Sequence, residues 1–142
     1  MCEEFCKFSP GVYNTILGLY NLFKKKGHLM INRYTREEMG KLWSDEHKIA
    51  TWIRVEYAVL EAKERLGLMP KDLLVPCRMS VDPDKPNMVA EILAEATEIE
   101  QRTDHDVEAF LQAMKTHLPY DARPHFHAGM TSYDLVDTAL SL

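Results

Sequence analysis

The chain has 142 residues, which is enough for one domain with a hydrophobic core but not for two full domains. Apolar residues make up 46% and charged residues 27% of the chain, a globular composition that argues against a disordered protein. The net charge of −5 repels nucleic acid and anionic membranes, so the sequence predicts neither as a partner.

The cysteines carry no sign of a disulfide framework or a zinc site. Cys2, Cys6 and Cys77 are odd in number and form no CxxC pair. A reducing, cytoplasmic compartment is the simplest interpretation, and no metal site is predicted.

Residues 1–29 are predicted to be a leader outside the fold. The apolar run 12–23 is too short to span a bilayer, and its lysines follow it, the wrong order for a secretory signal. One interpretation is a membrane-surface anchor formed by Leu17, Leu19, Tyr20, Leu22 and Phe23. The favoured one is a mis-assigned start, because Lys25, Lys26 and Gly27 have purine-rich codons that resemble a ribosome-binding site before Met30. The domain is then 30–142.

Two helices are predicted next, over about 35–43 and 45–66. Thr35 can cap the first, and Ser44 the second, where acidic residues follow in the first turn. Gly67 is placed to end the second helix. Trp43 and Trp52 are both expected in the core. Apolar residues recur in the second helix at steps of three and four: Ile49, Trp52, Ile53, Val59, Leu60 and Leu66.

The segment 70–86 contains four prolines, which predicts a loop with at most one turn after Pro70. A long helix should follow over about 87–118. Its apolar stripe is interrupted between Ile99 and Val107 by the sequence EQRTDHD. Either this stretch is solvated, which periodicity alone favours, or Thr103, His105 and Asp106 face a polar cleft.

A last helix is predicted over 131–142, after a tight turn at Gly129. Thr131 or Ser132 can cap it, and Asp134 has the position of a capping-box acid. The free N–H groups of this helix start could bind a carboxylate or phosphate, although simple capping is the default interpretation. The chain ends on an apolar run without a C-cap, which we interpret as a fragment.

Four motifs carry a family resemblance. They are RY at 33–34, WIRVEYAVLEA at 52–62, EIEQRTDHDVEAF at 98–110 and HAGMTSYDLVDTALS at 127–141. In this order they resemble the N-terminal part of the adenylosuccinate lyase family, within the fumarase/aspartase superfamily. The GRSRNDQ-like and GSGTQTNMN-like runs of sibling lyases are missing at the last motif. The resemblance implies an all-α fold, an N-terminal helical domain that ends at the start of the central helical bundle.

The resemblance also implies a reaction. Members of the family eliminate fumarate from adenylosuccinate, giving AMP, and from the succinylated aminoimidazole carboxamide ribotide of purine biosynthesis. This β-elimination needs a base, an acid and donors that hold the carboxylates, and it needs no cofactor and no metal. The implied partners are a small-molecule nucleotide substrate and the other subunits of a homotetramer.

The resemblance assigns residues to a substrate site. Arg33 and Tyr34 would contact the nucleotide, Arg33 through a donor geometry suited to phosphate. The whole set is Arg33, Tyr34, Asp104, His105, Asp106, Thr131 and Ser132, with His105 as a supporting catalytic residue and His127 in a further supporting position. Thr131 and Ser132 would bind the succinyl carboxylate. Asp104 stands where many relatives have Arg or Asn.

The principal acid histidine and the serine base of the family lie further along its chains, beyond Leu142, so this chain alone is expected to be inactive. Two alternatives remain. One is a sibling lyase of the superfamily with another substrate. The other is a non-catalytic helical interaction module that uses the apolar face around Trp52 and Leu60. An SSxMPxKxN-like loop downstream would favour the lyase.

Overall fold

A computed structural model of the protein describes residues 34–142. The predictions for residues 1–29 and for Arg33 lie outside the described residues. Of the described residues, 34–37 belong to a first unit and 38–142 form a second, compact unit. Six α-helices and a short 3-10 turn make up the described part, and none of residues 34–142 lies in a β-strand. The predicted all-α fold is confirmed.

The helices follow one another through short connections. They are α1 (Glu37–Leu42), α2 (Asp45–Arg65), α3 (Leu74–Ser80), α4 (Pro86–Thr103), α5 (Asp106–His117) and α6 (Ser132–Leu140), with the 3-10 turn Tyr120–Ala122 between α5 and α6. The second unit is organised around α2, which packs against α3, α4 and α6. Among the described residues, no helix is long and apolar enough to cross a membrane.

Helix α2 forms as the sequence predicts. The Ser44 hydroxyl accepts a hydrogen bond from the His47 N–H at 3.1 Å, which caps the helix start. Gly67, with φ of 70°, takes the left-handed conformation just after the helix ends. Trp52 is buried in the core, as expected. The same expectation for Trp43 is wrong, since this residue lies after α1 and its surface is 58% exposed.

Aromatic rings form the centre of the core. Trp52 of α2 meets Phe110 of α5 edge to face, with ring centroids 5.3 Å apart. Phe126, from the connection before α6, packs against Phe110 at 6.4 Å. This cluster joins α2, α5 and the segment that leads into α6, and so fixes the position of the last helix start.

The sequence predicts a loop for the proline-rich segment 70–86, but only part of this segment is a loop. It contains α3, a helix of seven residues. Pro76 is tolerated there because it is the third residue of the helix, where a backbone N–H would have no partner within the helix. Leu74 and Cys77 are buried, and Tyr57 of α2 donates its hydroxyl hydrogen to the carbonyl oxygens of Cys77 and Val81, at 2.9 and 2.8 Å.

The Tyr57 hydroxyl should contribute measurably to stability, because burial raises its pKa and keeps it a donor. Replacing Tyr57 with phenylalanine should lower the free energy of unfolding by about 1–3 kcal/mol, since two buried carbonyl groups lose a donor. Urea unfolding followed by circular dichroism measures the loss. The matched control is Tyr133→Phe, at a residue that is 74% exposed. Equal stability of the two variants would contradict the prediction.

The predicted long helix over 87–118 is two helices. Asp104 takes a left-handed conformation with φ of 50°, ends α4, and is followed by the start of α5 at Asp106. Glu95 of α4 lies 3.0 Å from the Nε2 of His117, at the far end of α5. The two helices therefore form an antiparallel hairpin, and the interrupted apolar stripe marks the turn of this hairpin.

Candidate active site

The hairpin turn carries the predicted residues Asp104, His105 and Asp106. His105 is the N-cap of α5, and its Nδ1 accepts a hydrogen bond from the Glu108 N–H at 3.2 Å. Accepting at Nδ1 leaves Nε2 as the protonated nitrogen of the neutral ring. The Asp106 carboxylate lies 4.0 Å from this Nδ1, and both side chains are about half exposed, at 51% each. The turn thus presents an N–H donor and a carboxylate to solvent.

The second predicted element is the start of α6. Thr131 is the N-cap, Ser132 is the first helical residue, and Gly129 with φ of 77° forms the tight turn before them. The Asp134 carboxylate accepts hydrogen bonds from the Thr131 N–H at 2.7 Å and from the Thr131 hydroxyl at 3.0 Å. The predicted role of Asp134 as a capping acid is confirmed. Ser132 is half-buried beside this cap.

The cap at α6 should be sensitive to acid. The two hydrogen bonds from Thr131 hold the pKa of Asp134 below its ordinary value. A carboxyl with a lowered folded pKa stabilises the fold above its unfolded pKa, and this contribution is lost as the pH falls through the folded pKa. We expect the protection of the Thr131 to Asp134 amides against hydrogen exchange, corrected for the intrinsic rate at each pH, to fall over that range. The Asp134→Asn variant should lack this transition, and its persistence there would contradict the assignment.

A buried contact between Glu56 and His127 holds the turn before α6. His127 donates its backbone N–H to Glu56 Oε2 at 3.1 Å, and its Nδ1 lies 2.6 Å from Glu56 Oε1. The Glu56 side chain is 1% exposed and that of His127 is 13% exposed. Burial raises the pKa of the Glu56 carboxyl, and the hydrogen bonds from His127 oppose this. His127 also has a positive φ of 58°, a conformation that the contact with Glu56 helps to hold.

Lys63, on the same helix as Glu56, fixes the rest of this turn. Its Nζ donates to the carbonyl oxygens of His125 and Ala128, at 2.8 and 2.6 Å. Neither Glu56 nor Lys63 was predicted as a site residue. The sequence did hold a signal for Glu56, which lies four residues after Trp52 and four before Leu60, on the buried face of α2. A lone acid at such a position requires a partner.

The structure brings some of the predicted residues together and leaves others apart. The turn that leads into α6 brings His127 close in sequence to Thr131 and Ser132. The charge of His127 is a small contribution to the lowered pKa of Asp134, after the hydrogen bonds from Thr131. Within residues 34–142, no hydrogen bond or ion pair joins His105 or Asp106 to Thr131 or Ser132. Their common cleft stays a prediction. Tyr34 belongs to the first unit and is 74% exposed.

One cluster could bind a metal ion by its chemistry. Glu91, Glu95 and His117 bring their ligand atoms within 4.8 Å of one another on the α4–α5 hairpin. The contact between Glu95 and His117 already has a structural role, because it joins the far end of α5 to α4. The cluster is partly exposed, and it involves none of the residues that the sequence assigned to the substrate site.

Comparisons with known proteins test the resemblance that the sequence motifs indicate. No family model matches the chain. It is similar to the adenylosuccinate lyase of Synechocystis sp., with 40% identity over 115 residues, or 80% of this chain. The enzyme of Streptococcus mutans is 44% identical over 110 residues, or 78% of the chain. That of Aquifex aeolicus is 39% identical over 113 residues, or 80% of the chain.

Over most of its length, the chain is similar to adenylosuccinate lyases at about 40% identity. The resemblance carried by the four sequence motifs is therefore confirmed, and it extends over most of the chain. The chain spans about a quarter of the length of the curated relatives that it matches, with 24% of the Synechocystis protein and 23% of the Streptococcus protein covered.

Proposed function

We propose that this chain is the part of an adenylosuccinate lyase that binds the succinyl carboxylate and lines the nucleotide site. The full-length enzyme would eliminate fumarate from adenylosuccinate and from the succinylated aminoimidazole carboxamide ribotide. The observation that carries the proposal is the similarity of about 40% over some 110 residues to several adenylosuccinate lyases. It favours this lyase over a sibling enzyme and over an interaction module, which has no need of a TSxD helix start.

The start of α6 suits a carboxylate ligand. The first N–H groups of a helix lack partners within the helix and carry positive potential, which stabilises an anion. Ser132 would add a hydroxyl donor, and the Thr131–Asp134 cap would hold the backbone in place. A carboxylate held there would have its charge stabilised as the neighbouring carbon loses its proton, which lowers the barrier to elimination.

The hairpin turn would line the nucleotide side of the site. With Nδ1 engaged by Glu108, His105 offers an Nε2–H donor of the kind that a phosphate or ring acceptor requires. Arg33 and Tyr34 would bind the nucleotide phosphate, as the family pattern implies. Asp104 stands where many relatives have Arg or Asn. It is proposed to line the turn without contacting the nucleotide.

We further propose that this chain alone does not turn over substrate, because the principal acid and base of the family lie in other segments. The active enzyme would be a cytoplasmic homotetramer that uses no cofactor. Residues 1–29 are proposed to be dispensable for the fold of residues 30–142.

Turnover tests the proposed function. The full-length protein that contains this sequence is incubated with adenylosuccinate, and fumarate and AMP are quantified by chromatography. Equal amounts of both products are expected, and none from the 142-residue chain alone. Argininosuccinate serves as the matched control substrate and should be left intact. Cleavage of argininosuccinate without cleavage of adenylosuccinate would assign a sibling lyase, and no cleavage of either would favour the interaction module.

A further inference from the structure

The pair formed by Glu56 and His127 directs both carboxylate oxygens to a single residue. One oxygen accepts the backbone N–H of His127, and the other faces its ring at Nδ1. Among the described residues, Glu56 is the one charged residue that is buried in the core. Its exposure is 0%, and it lies on the α2 face that also buries Trp52 and Leu60. A carboxylate is seldom buried among apolar side chains unless its partners are fixed. The pair also spans 71 positions of the chain, so it is a tertiary contact.

The chemistry of a carboxylate determines which ring nitrogen carries the proton. An ionised carboxylate only accepts hydrogen bonds, so Nδ1 must donate to it. Burial raises the pKa of the Glu56 carboxyl, while the hydrogen bonds from His127 and the positive charge of Lys63 favour its ionised form. With Nδ1–H engaged, the remaining polar atom of the ring is Nε2.

The two histidines of the candidate site therefore differ. His105 accepts at Nδ1 and is protonated at Nε2 when neutral. In His127, Nδ1 is the donor, so a neutral ring has a lone pair at Nε2. One neutral ring presents a donor and the other an acceptor, although the two residues have the same side chain.

We propose that Glu56 is a positioning residue that keeps Nδ1 of His127 as the donor inside the fold, so that Nε2 presents a lone pair to a hydrogen-bond donor of the substrate. This role rests on the proposed function, since the substrate is the one proposed above. Glu56 contacts no substrate itself. It acts by fixing the tautomer and the ring, as a carboxylate does for a histidine in many catalytic sites.

Nuclear magnetic resonance of the ring nitrogens tests the proposal on the 142-residue chain. The ¹⁵N shifts and couplings of neutral His127 should show a protonated Nδ1 and an unprotonated Nε2. In Glu56→Gln, the amide oxygen can accept the His127 N–H while its NH₂ group faces Nδ1, which favours the opposite tautomer. We expect the proton to move to Nε2 in this variant. Glu95→Gln, at the partly exposed pair with His117, is the matched control and should leave His127 unchanged.

Two results would overturn the proposal. An unprotonated Nδ1 in the unsubstituted chain would mean that Glu56 donates to the ring. An unchanged tautomer in Glu56→Gln would mean that another group fixes it. If Glu56→Gln does not fold, the spectrum of the unsubstituted chain still decides, because protonation at Nε2 alone would refute the assignment.

A kinetic measurement separates this proposal from the proposed function. In the full-length protein, Glu56→Gln should raise KM for adenylosuccinate roughly ten- to a hundredfold with a smaller change in kcat. In the variant Nε2 would carry a proton instead of a lone pair, so the substrate donor would lose its acceptor. Glu95→Gln should keep the KM of the unsubstituted protein. Normal KM in an active Glu56→Gln enzyme would refute the positioning role alone. An unsubstituted protein without turnover would refute the proposed function, while the tautomer experiment would still decide the role of Glu56.

Discussion

Replacing Phe110 with alanine is expected to lower the free energy of unfolding by about 3–5 kcal/mol, the cost of removing a large aromatic side chain from a packed core. Phe110 is completely buried and contacts the rings of both Trp52 and Phe126. Its loss leaves a cavity between α2, α5 and the connection to α6. The position of the last helix start should therefore become less well fixed.

Chemical denaturation followed by tryptophan fluorescence and circular dichroism measures this effect. Met79→Ala is the matched control, because Met79 is 79% exposed and its truncation opens no cavity. The control should stay within about 0.5 kcal/mol of the unsubstituted chain. A loss below about 1 kcal/mol for Phe110→Ala would show that the aromatic cluster is not the centre of the core.

Replacing Ser132 with alanine in the full-length lyase is expected to lower kcat/KM roughly ten- to a hundredfold, because a hydrogen bond to a charged group is worth about 1.5–3 kcal/mol. Ser132 lies at the first position of α6, outside the Thr131–Asp134 cap. The thermal midpoint should change little, since the cap remains. Steady-state kinetics with adenylosuccinate measure the loss of transition-state stabilisation.

The matched control is Ser141→Ala, at the other end of the same helix. The Ser141 hydroxyl is exposed and donates to the Thr138 carbonyl oxygen. This variant should keep the kinetics of the unsubstituted enzyme. Near-normal turnover by Ser132→Ala, together with a fall in its thermal midpoint, would make Ser132 a structural residue and would remove the start of α6 from the proposed site.

The helices with local signals were predicted well. In α2, Ser44 marks the start, an apolar stripe marks the buried face and Gly67 marks the end. In α6, Thr131 and Asp134 lie three residues apart and contact each other directly. Such signals depend on neighbours within one or two turns, so they can be recognised without knowledge of the fold.

The errors of prediction arise where tertiary contacts or rare local conformations decide. The break at Asp104 depends on a left-handed backbone at this aspartate and on the cap that His105 provides. A run of polar residues looks the same in sequence whether it forms such a break or a solvated helix. Helix α3 is held by Tyr57 of α2, whose hydroxyl binds the carbonyl oxygens of Cys77 within α3 and of Val81 just after it, and this long-range contact is not visible in the proline pattern. The exposure of Trp43 likewise could not be predicted from the sequence, because tryptophan side chains are usually buried.

The candidate site was predicted mainly from the family resemblance. Periodicity identified an interrupted stripe at 99–107 and a capped helix at Thr131, but on its own favoured a solvated stretch and simple capping. The motifs pointed to His105, Asp106, Thr131 and Ser132 together. The role of Glu56 was missed because its partner, His127, is far away in the sequence, and only the fold brings the two into contact.

The most direct measurement of the central claim is a crystal structure of the full-length protein with AMP and fumarate bound. The claim is that the start of α6 and the α4–α5 turn are two walls of one substrate site. A fumarate carboxylate should lie within hydrogen-bond distance of Ser132, with AMP between this helix start and His105. Products bound at a place that touches neither Thr131–Ser132 nor His105–Asp106 would contradict the account.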